Sequence, residues 1–278
     1  MKEPWYELAR LAVLKAENLR KEGRAAGATD TLLDLCQLGR DLAQNGSPTA
    51  WSCGEEVHRM AFDGLRNLVV QGNLPKEVLL RLERTLRSLD ESSHSRASDV
   101  LNAAALLGRA IRNDRLDQLR GMLSEDPLPR PPVPTWRSAW SLRLEKVKSF
   151  DLVASWLRRL AVAESHSWTA SKEECDRIRQ EVEARAASHS VLQNLGFQRL
   201  RPDRHSRMLI VKLRLLRIAS RFLATGEVLE LKDPFGTKLM HSVTESHLKL
   251  WSVAAGGVDI GGDVVWDAGI DGVLEVRR

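Results

Sequence analysis

Four aspartates stand among glycines near the end of the chain. They are Asp259, Asp263, Asp267 and Asp271. Calcium takes about six to eight oxygen ligands, and the carboxylates and backbone carbonyls of a glycine-rich loop can supply them. We therefore predict a structural calcium site formed by Asp259, Asp263 and Asp271, with Asp267 as a lesser candidate. The alternative is that these side chains keep an exposed loop in water and bond locally to its turns.

A second group of charged residues lies on a predicted helix from Arg207 to Ala224. The apolar residues of this segment predict a broad buried side, and Arg214, Arg217 and Arg221 predict a basic side that stays in water. Because the chain carries a formal net charge of +5, this face is a candidate binding site for a nucleic acid or an acidic protein. No aromatic residue is interleaved for base stacking, so a solvated helix face is the alternative.

Residues that often act in catalysis are present, but not in a catalytic spacing. His241, Ser242 and His247 share a predicted hairpin, where such neighbours are mostly surface residues. Gly256-Gly257 and Gly261-Gly262 lack the spacing and the lysine of a phosphate-binding loop. The three cysteines form no CxxC pair. We predict that the protein is not an enzyme and has no cofactor besides calcium.

The elements that position these residues are predicted to be mainly α-helical, with a helical bundle and a small C-terminal antiparallel β unit. Apolar residues recur every three or four positions in five segments before residue 125, the last of them over residues 98–123. The first predicted helix runs from Glu3 to about Arg24, and Gly27 stops it. Its core-facing side is predicted to carry Trp5, Leu8, Leu11, Ala12, Ala16 and Leu19.

Four segments follow from this pattern. Residues 1–125 are predicted to form the N-terminal helical bundle, 126–135 a proline-rich linker, 136–225 a second helical segment and 226–278 a small β tail. In the second helical segment, Trp136, Trp140 and Trp156 follow helical spacing and predict core packing, and Ser171 with Glu174 matches a capping box at a helix start. In the tail, 239–243 and 248–253 predict a hairpin, and 273–276 a further strand.

The hydropathy of the sequence indicates where in the cell the protein is located. No stretch reaches the roughly 18 apolar residues that a membrane helix needs, and no signal segment opens the chain. We therefore expect no membrane span and a cytoplasmic location. An export or anchor segment upstream of Met1 would instead make the protein extracytoplasmic, in the periplasm.

The residues from about Arg207 to Val276 resemble the C-terminal part of the major pseudopilins of type II secretion. In that family a helix precedes an Asp-Pro-aromatic-Gly turn, a strand pair, and a glycine loop that leads to a final aspartate and strand. The matching residues are Asp233-Pro234-Phe235-Gly236, Trp251-Ser252-Val253, Gly257, Gly261-Gly262 and Asp271. The whole chain also resembles bacterial extracytoplasmic proteins that join a leucine-rich helical body to such a tail.

This resemblance implies an extracytoplasmic protein whose acidic loop can hold calcium. The chain departs from the family in lacking the long apolar N-terminal helix that assembles a pilus, and Ala254, Gly256 and Ile260 replace family glycine and acidic positions. The function we expect is a non-enzymatic scaffold or protein-interaction component of the bacterial envelope, tied to secretion or pilus-like machinery. The alternative is a cytoplasmic basic helical protein that binds nucleic acid or an acidic protein partner.

Overall fold

The computed structural model describes residues 3–44, 48–71, 74–91, 136–186, 204–236, 238–253 and 273–277. These residues are mainly helical, with a three-stranded antiparallel sheet near the C-terminus, and this confirms the predicted fold class. Three predicted features lie outside the described residues: the helix over 98–123, the proline-rich linker over 126–135 and the acidic glycine-rich loop.

Four helices open the chain. They are α1 (Glu3–Lys21), α2 (Ala25–Gln44), α3 (Pro48–Val70) and α4 (Lys76–Glu91). Helix α1 ends at Lys21, and Gly23 follows it with a φ of 75°, which suits a residue without a Cβ. The amide of Gly23 donates to the Arg20 carbonyl at 2.9 Å, and that of Arg24 donates to the Leu19 carbonyl at 2.8 Å. The predicted stop at Gly27 is wrong, because Gly27 has no such requirement and lies inside α2.

Helices α2 and α3 pack closely because small residues line their crossing. A Cβ built on Gly54 would lie 2.5 Å from the Gly39 carbonyl oxygen and 2.7 Å from the Ala43 amide nitrogen. A Cβ on Gly64 would lie 2.8 Å from a methyl group of Leu32. The two backbones therefore approach as closely as they do only because glycine stands at these positions.

Helix α7 (Arg204–Thr225) packs on α3 and α4 and leads into the sheet. The strands are β1 (Met240–Val243), β2 (His247–Trp251) and β3 (Val273–Arg277), paired antiparallel in the order β1-β2-β3. Alternate residues of β2 and β3 are buried against α7 and α3: Leu248, Leu250, Leu274 and Val276. The Thr244 amide closes the hairpin on the His247 carbonyl at 2.8 Å, as the sequence predicted.

The chain forms two compact units, residues 1–93 with 203–278, and residues 94–202. Helix α7 thus belongs to the same unit as α1 to α4, whereas the predicted boundaries grouped it with residues 136–203. The reason is its broad buried side, on which Val211, Leu215, Leu216, Ile218, Ala219 and Phe222 are all buried. Such a side needs a large apolar surface, which α3, α4 and the sheet supply.

The second unit contains the helical hairpin of α5 (Trp136–His166) and α6 (Trp168–Ala186). Trp156 is fully buried, which confirms core packing for this residue. Ser167 caps α6, since its Oγ accepts from the Ala170 amide at 3.1 Å. The predicted capping box is therefore wrong: Ser171 lies inside α6 and donates to the Ser167 carbonyl at 3.0 Å. Glu174 instead accepts a 2.7 Å hydrogen bond from Arg159.

Candidate functional site

The predicted calcium ligands Asp259, Asp263, Asp267 and Asp271 lie outside the described residues. Within the described ranges, no three His, Cys, Asp or Glu side chains come together as a group that could hold a metal ion. The calcium site therefore stays a prediction from the sequence.

The three arginines of the predicted basic face point to acids of the same unit. Arg214 donates from Nε to both carboxylate oxygens of Asp90 at 3.1 Å. Arg217 donates to the same carboxylate and lies 3.7 Å from Glu83. Arg221 pairs with Glu227 at 2.6 Å. The expectation that this side stays in water is wrong for Arg217, which is only 7% exposed, because acids of α4 compensate its charge.

Lys212 extends this network to α3. Its ammonium lies 3.0 Å from Asp63, and the lysine itself is buried. Asp63 also receives a 3.3 Å hydrogen bond from Arg59 on α3. Buried charges are tolerated when they are paired and hydrogen-bonded, so these contacts hold α7 in place. Arg214, Arg217 and Arg221, which the sequence offered for a polyanion, thus have acidic partners within the protein.

The Asp233-Pro234-Phe235-Gly236 turn joins α7 to the sheet. Asp233 accepts from the Phe235 amide at 2.9 Å and from the Ser252 hydroxyl at 2.5 Å. Burial raises the pKa of this carboxyl, whereas the bonds from Ser252 and from the Phe235 and Val253 amides act in the opposite direction. Gly236 has a φ of 105°, a conformation that favours glycine. The aspartate is only 3% exposed, so its role is to fix the turn.

Two arginines of α7 bind the backbone of this turn. Arg207 donates to the Pro234 carbonyl at 2.7 Å, and Arg214 donates to the Lys232 carbonyl at 2.7 Å. The turn residues, the basic helix and Ser252 were separate features in the sequence, and the structure brings them into one assembly. The polar groups of this assembly bind one another, so its role is structural: it holds the sheet on α7.

A partly buried histidine, His58, lies at the α2–α3 crossing. Burial lowers the pKa of His58 to about 4, and a hydrogen bond to the Cys36 backbone opposes that shift. The ring stacks on Phe62 with centroids 5.6 Å apart. Burial also raises the pKa of the Cys36 thiol. All three cysteines are buried thiols, and a buried thiol with a raised pKa is a poor nucleophile.

Four of the eight large apolar side chains that are exposed in the described ranges lie on α1. We call Trp5, Leu8, Leu11 and Leu14 the leucine ridge. Leu8 is 47%, Leu11 62% and Leu14 56% exposed. The sequence analysis placed Trp5, Leu8 and Leu11 on the core side, and this is wrong, whereas its placement of Ala16 there is confirmed. The buried residues of that helix are Ala9 and Ala16, seven positions apart. Their spacing on one helical face was the signal for the true core side.

A groove of about 330 Å³ runs between α1 and α2 beside the leucine ridge. Its lining is mainly apolar: Leu8, Leu11, Ala12, Leu35 and Leu38, with Lys15, Thr31 and Asp34. Leu8 and Leu11 therefore belong both to the ridge and to the groove wall. This surface, which sequence reasoning missed, is the candidate site for another protein.

None of the helices in the described ranges is long and apolar enough to cross a membrane. Comparison with known proteins found no matching family model, no matching curated protein and no matching solved structure.

Proposed function

We propose that the protein is a non-enzymatic scaffold or protein-interaction component, and that the leucine ridge with its groove is the binding surface. The observation that carries this proposal is the exposure of three leucines on one helix beside an apolar groove. Scattered exposed leucines are ordinary in a soluble protein, but a contiguous apolar patch with a polar surround marks an interaction site.

The energetic argument is that these leucines contribute little to the unit's own core. Burying a leucine side chain is worth about 1.5–3 kcal/mol, and a side chain about half exposed has gained only part of this. The rest of this burial free energy becomes available when a partner covers the ridge. The rim supplies charges of both signs, with Glu7, Arg10, Lys15 and Asp34 near the ridge or groove, which suits a protein surface better than a polyanion.

A place in the bacterial envelope, in secretion or pilus-like machinery, is the finer part of this proposal. Its support is the order of elements after residue 204: helix α7, the Asp233–Gly236 turn, a strand pair and a final strand. This is the order that the resemblance to the major pseudopilins implies. Nucleic-acid binding has less support, because Arg214, Arg217 and Arg221 are all paired with acids.

Site-specific photo-cross-linking in cells of the source organism tests the proposal. A benzophenone amino acid at Leu11 should form adducts with a protein on irradiation, because the ridge is covered by that partner. The matched control is Val162 on α5, an exposed apolar residue of similar accessibility at 58%. Adducts at position 11 that disappear when Leu8 and Leu14 are both changed to Glu would support the surface. Equal cross-linking at 11 and 162 would contradict it.

A further inference from the structure

Leu8 and Leu11 of the leucine ridge are exposed and also line the groove, so the surface offers a projection and a recess together. We propose that the occupant is a second copy of this chain, with Leu11 of each copy seated in the groove of the other around a two-fold axis. In such an isologous interface each contact occurs twice, so one face must be complementary to itself. This inference rests on the proposed function and names its partner.

The charges at the groove support a second copy. Lys15 lies on the α1 wall and Asp34 on the α2 wall. Within the described residues, neither side chain has an ion-pair partner. Lys15 follows Leu11 by four positions, one helical turn, so the helix that inserts Leu11 also carries a cation to the partner's groove. There it meets Asp34, and the same pair forms again by symmetry. A strongly acidic or basic partner would satisfy only one of the two charges.

The size of the surface sets the expected strength. Helix α1 has 19 residues, which corresponds to a length of about 28 Å. One helix and the neighbouring α2 wall fall below the roughly 800 Å² per partner of a standard interface. We therefore expect a dimer that dissociates in the micromolar range, visible as a concentration-dependent mass rather than as a permanent assembly.

Charge reversal across the interface gives a decisive test with the full chain. Lys15→Glu places two acids against each other at both ends of the dimer, and Asp34→Lys places two cations against each other. Sedimentation equilibrium should show the dissociation constant of each variant raised at least about tenfold. When the two variants are mixed, the glutamate introduced at position 15 meets the lysine introduced at position 34, and the original Asp34 of one copy meets the original Lys15 of the other. The mixture should then form a heterodimer with a dissociation constant within about threefold of the original.

Two further variants keep this test interpretable. Lys172→Glu, at an exposed position of α6, changes the net charge by the same amount as Lys15→Glu and should leave the dissociation constant unchanged. Leu11→Glu should abolish the dimer while circular dichroism and the thermal melt stay as in the original protein, since Leu11 is 62% exposed. If Lys172→Glu also lost association, net charge alone would explain the weaker association of Lys15→Glu, and the proposed Lys15–Asp34 pairing would be overturned.

The outcomes distinguish a failure of the proposed dimer from a failure of the proposed interaction function. A monomer at every concentration up to about 100 μM overturns the second copy, and so does a dimer whose charge-reversed variants fail to pair on mixing. If the chain is a monomer but Leu11 still cross-links to a different protein, the interaction function stands and only this inference falls. If Leu11 forms no adduct, both fall.

Discussion

Two interfaces within the first unit are built on opposite principles. The α2–α3 crossing depends on shape, because Gly54 lets the backbones meet where a Cβ would lie 2.5 Å from the Gly39 carbonyl oxygen. The interface of α7 with α3 and α4 depends on charge as well as on apolar packing. There the cations of α7 meet Asp63, Glu83 and Asp90. The first interface should fail when volume is added, and the second when one charge is removed.

The two interfaces also have different roles in the fold. A close-packed crossing tolerates little change of volume, so α2 and α3 form the rigid centre of the unit. Charged pairs on α7 are directional, and they connect positions 127 residues apart in the chain. They select where α7 and the sheet dock, while the leucine ridge on α1 stays outside both interfaces.

Gly54→Ala is the largest effect we expect. The added Cβ would meet backbone atoms of α2, which cannot rotate away as a side chain can. The cost should be about 3–4 kcal/mol of unfolding free energy, at the upper end for overpacking. Urea unfolding followed by circular dichroism measures it.

Gly27→Ala is the matched control, because it also lies within a helix but its Cβ would meet only Leu19 methyl groups at 3.7 and 3.9 Å. That change should raise stability by about 0.5–1 kcal/mol through helix propensity. Equal effects of the two substitutions would mean that the crossing is not limited by volume.

Asp90→Asn should break the charged interface. The substitution keeps the shape of the side chain but leaves Arg214 and Arg217 without the carboxylate that both bind, and Arg217 is buried. Removing one partner of a buried ion pair costs about 3 kcal/mol, because the other charge stays buried. The measurement is the midpoint and slope of urea unfolding.

Glu227→Gln provides the comparison, since the Arg221–Glu227 pair is exposed on the acid's side. Exposed pairs contribute about 0–1 kcal/mol, so this variant should lie close to the original protein. If Asp90→Asn were as mild as Glu227→Gln, apolar packing rather than charge would hold α7.

His58 makes the shape-dependent interface sensitive to pH. Its pKa in the folded protein is about 4, against 6.5 for the ordinary group. As the pH falls below 6.5, the unfolded chain binds a proton that the folded chain does not, so stability is fully present above this pH and is lost towards pH 4. The loss at pH 5 should be about 2 kcal/mol.

Urea unfolding at pH 7, 6 and 5 checks this expectation. His58→Phe keeps an aromatic ring to stack on Phe62 but cannot bind a proton, so its stability should fall less over the same range. His241→Asn on the exposed strand β1 is the control and should follow the original protein. A profile of His58→Phe identical to that of the original would contradict the assignment.

The sequence predicted the parts of the fold that depend on local periodicity. In α4, one of the segments in which apolar residues recur every three or four positions, five such residues are all buried: Val78, Leu79, Leu82, Leu86 and Leu89. In the tail, the predicted hairpin of 239–243 and 248–253 is present as β1 and β2, and the Thr244–His247 turn closes it. Such patterns report which side of an element is buried, because they follow directly from helix and strand geometry.

What the sequence did not predict depends on contacts distant in the chain. Periodicity cannot name the partner of a buried side, so the docking of α7 on α3 and α4 and the pairing of Arg217 with Asp90 were missed. On α1 the predicted core side included the large residues Trp5, Leu8 and Leu11 together with Ala16, although only Ala9 and Ala16 of this helix are buried. The leucine ridge, our proposed interaction surface, was missed for the same reason, since an apolar residue alone does not reveal whether the core or a partner covers it.

A calcium ion bound by the acidic loop would stabilise the protein in a third way, besides the close packing of α2 on α3 and the ion pairs of α7. An ion that binds only the folded state stabilises it in proportion to the logarithm of its concentration. At a calcium concentration ten times the dissociation constant the gain in unfolding free energy is about 1.4 kcal/mol, and for a protein of this size the melting temperature should rise by about 3 °C.

The measurement is a thermal melt in excess calcium and again in EDTA, with Asp263→Asn expected to remove the rise. Asp151→Asn, at an exposed position of α5, removes an acid elsewhere and should keep it. An unchanged melting temperature in calcium would mean that Asp259, Asp263 and Asp271 act as solvated acids, and the resemblance to the pseudopilins would then extend to the turn and the strands but not to the ion.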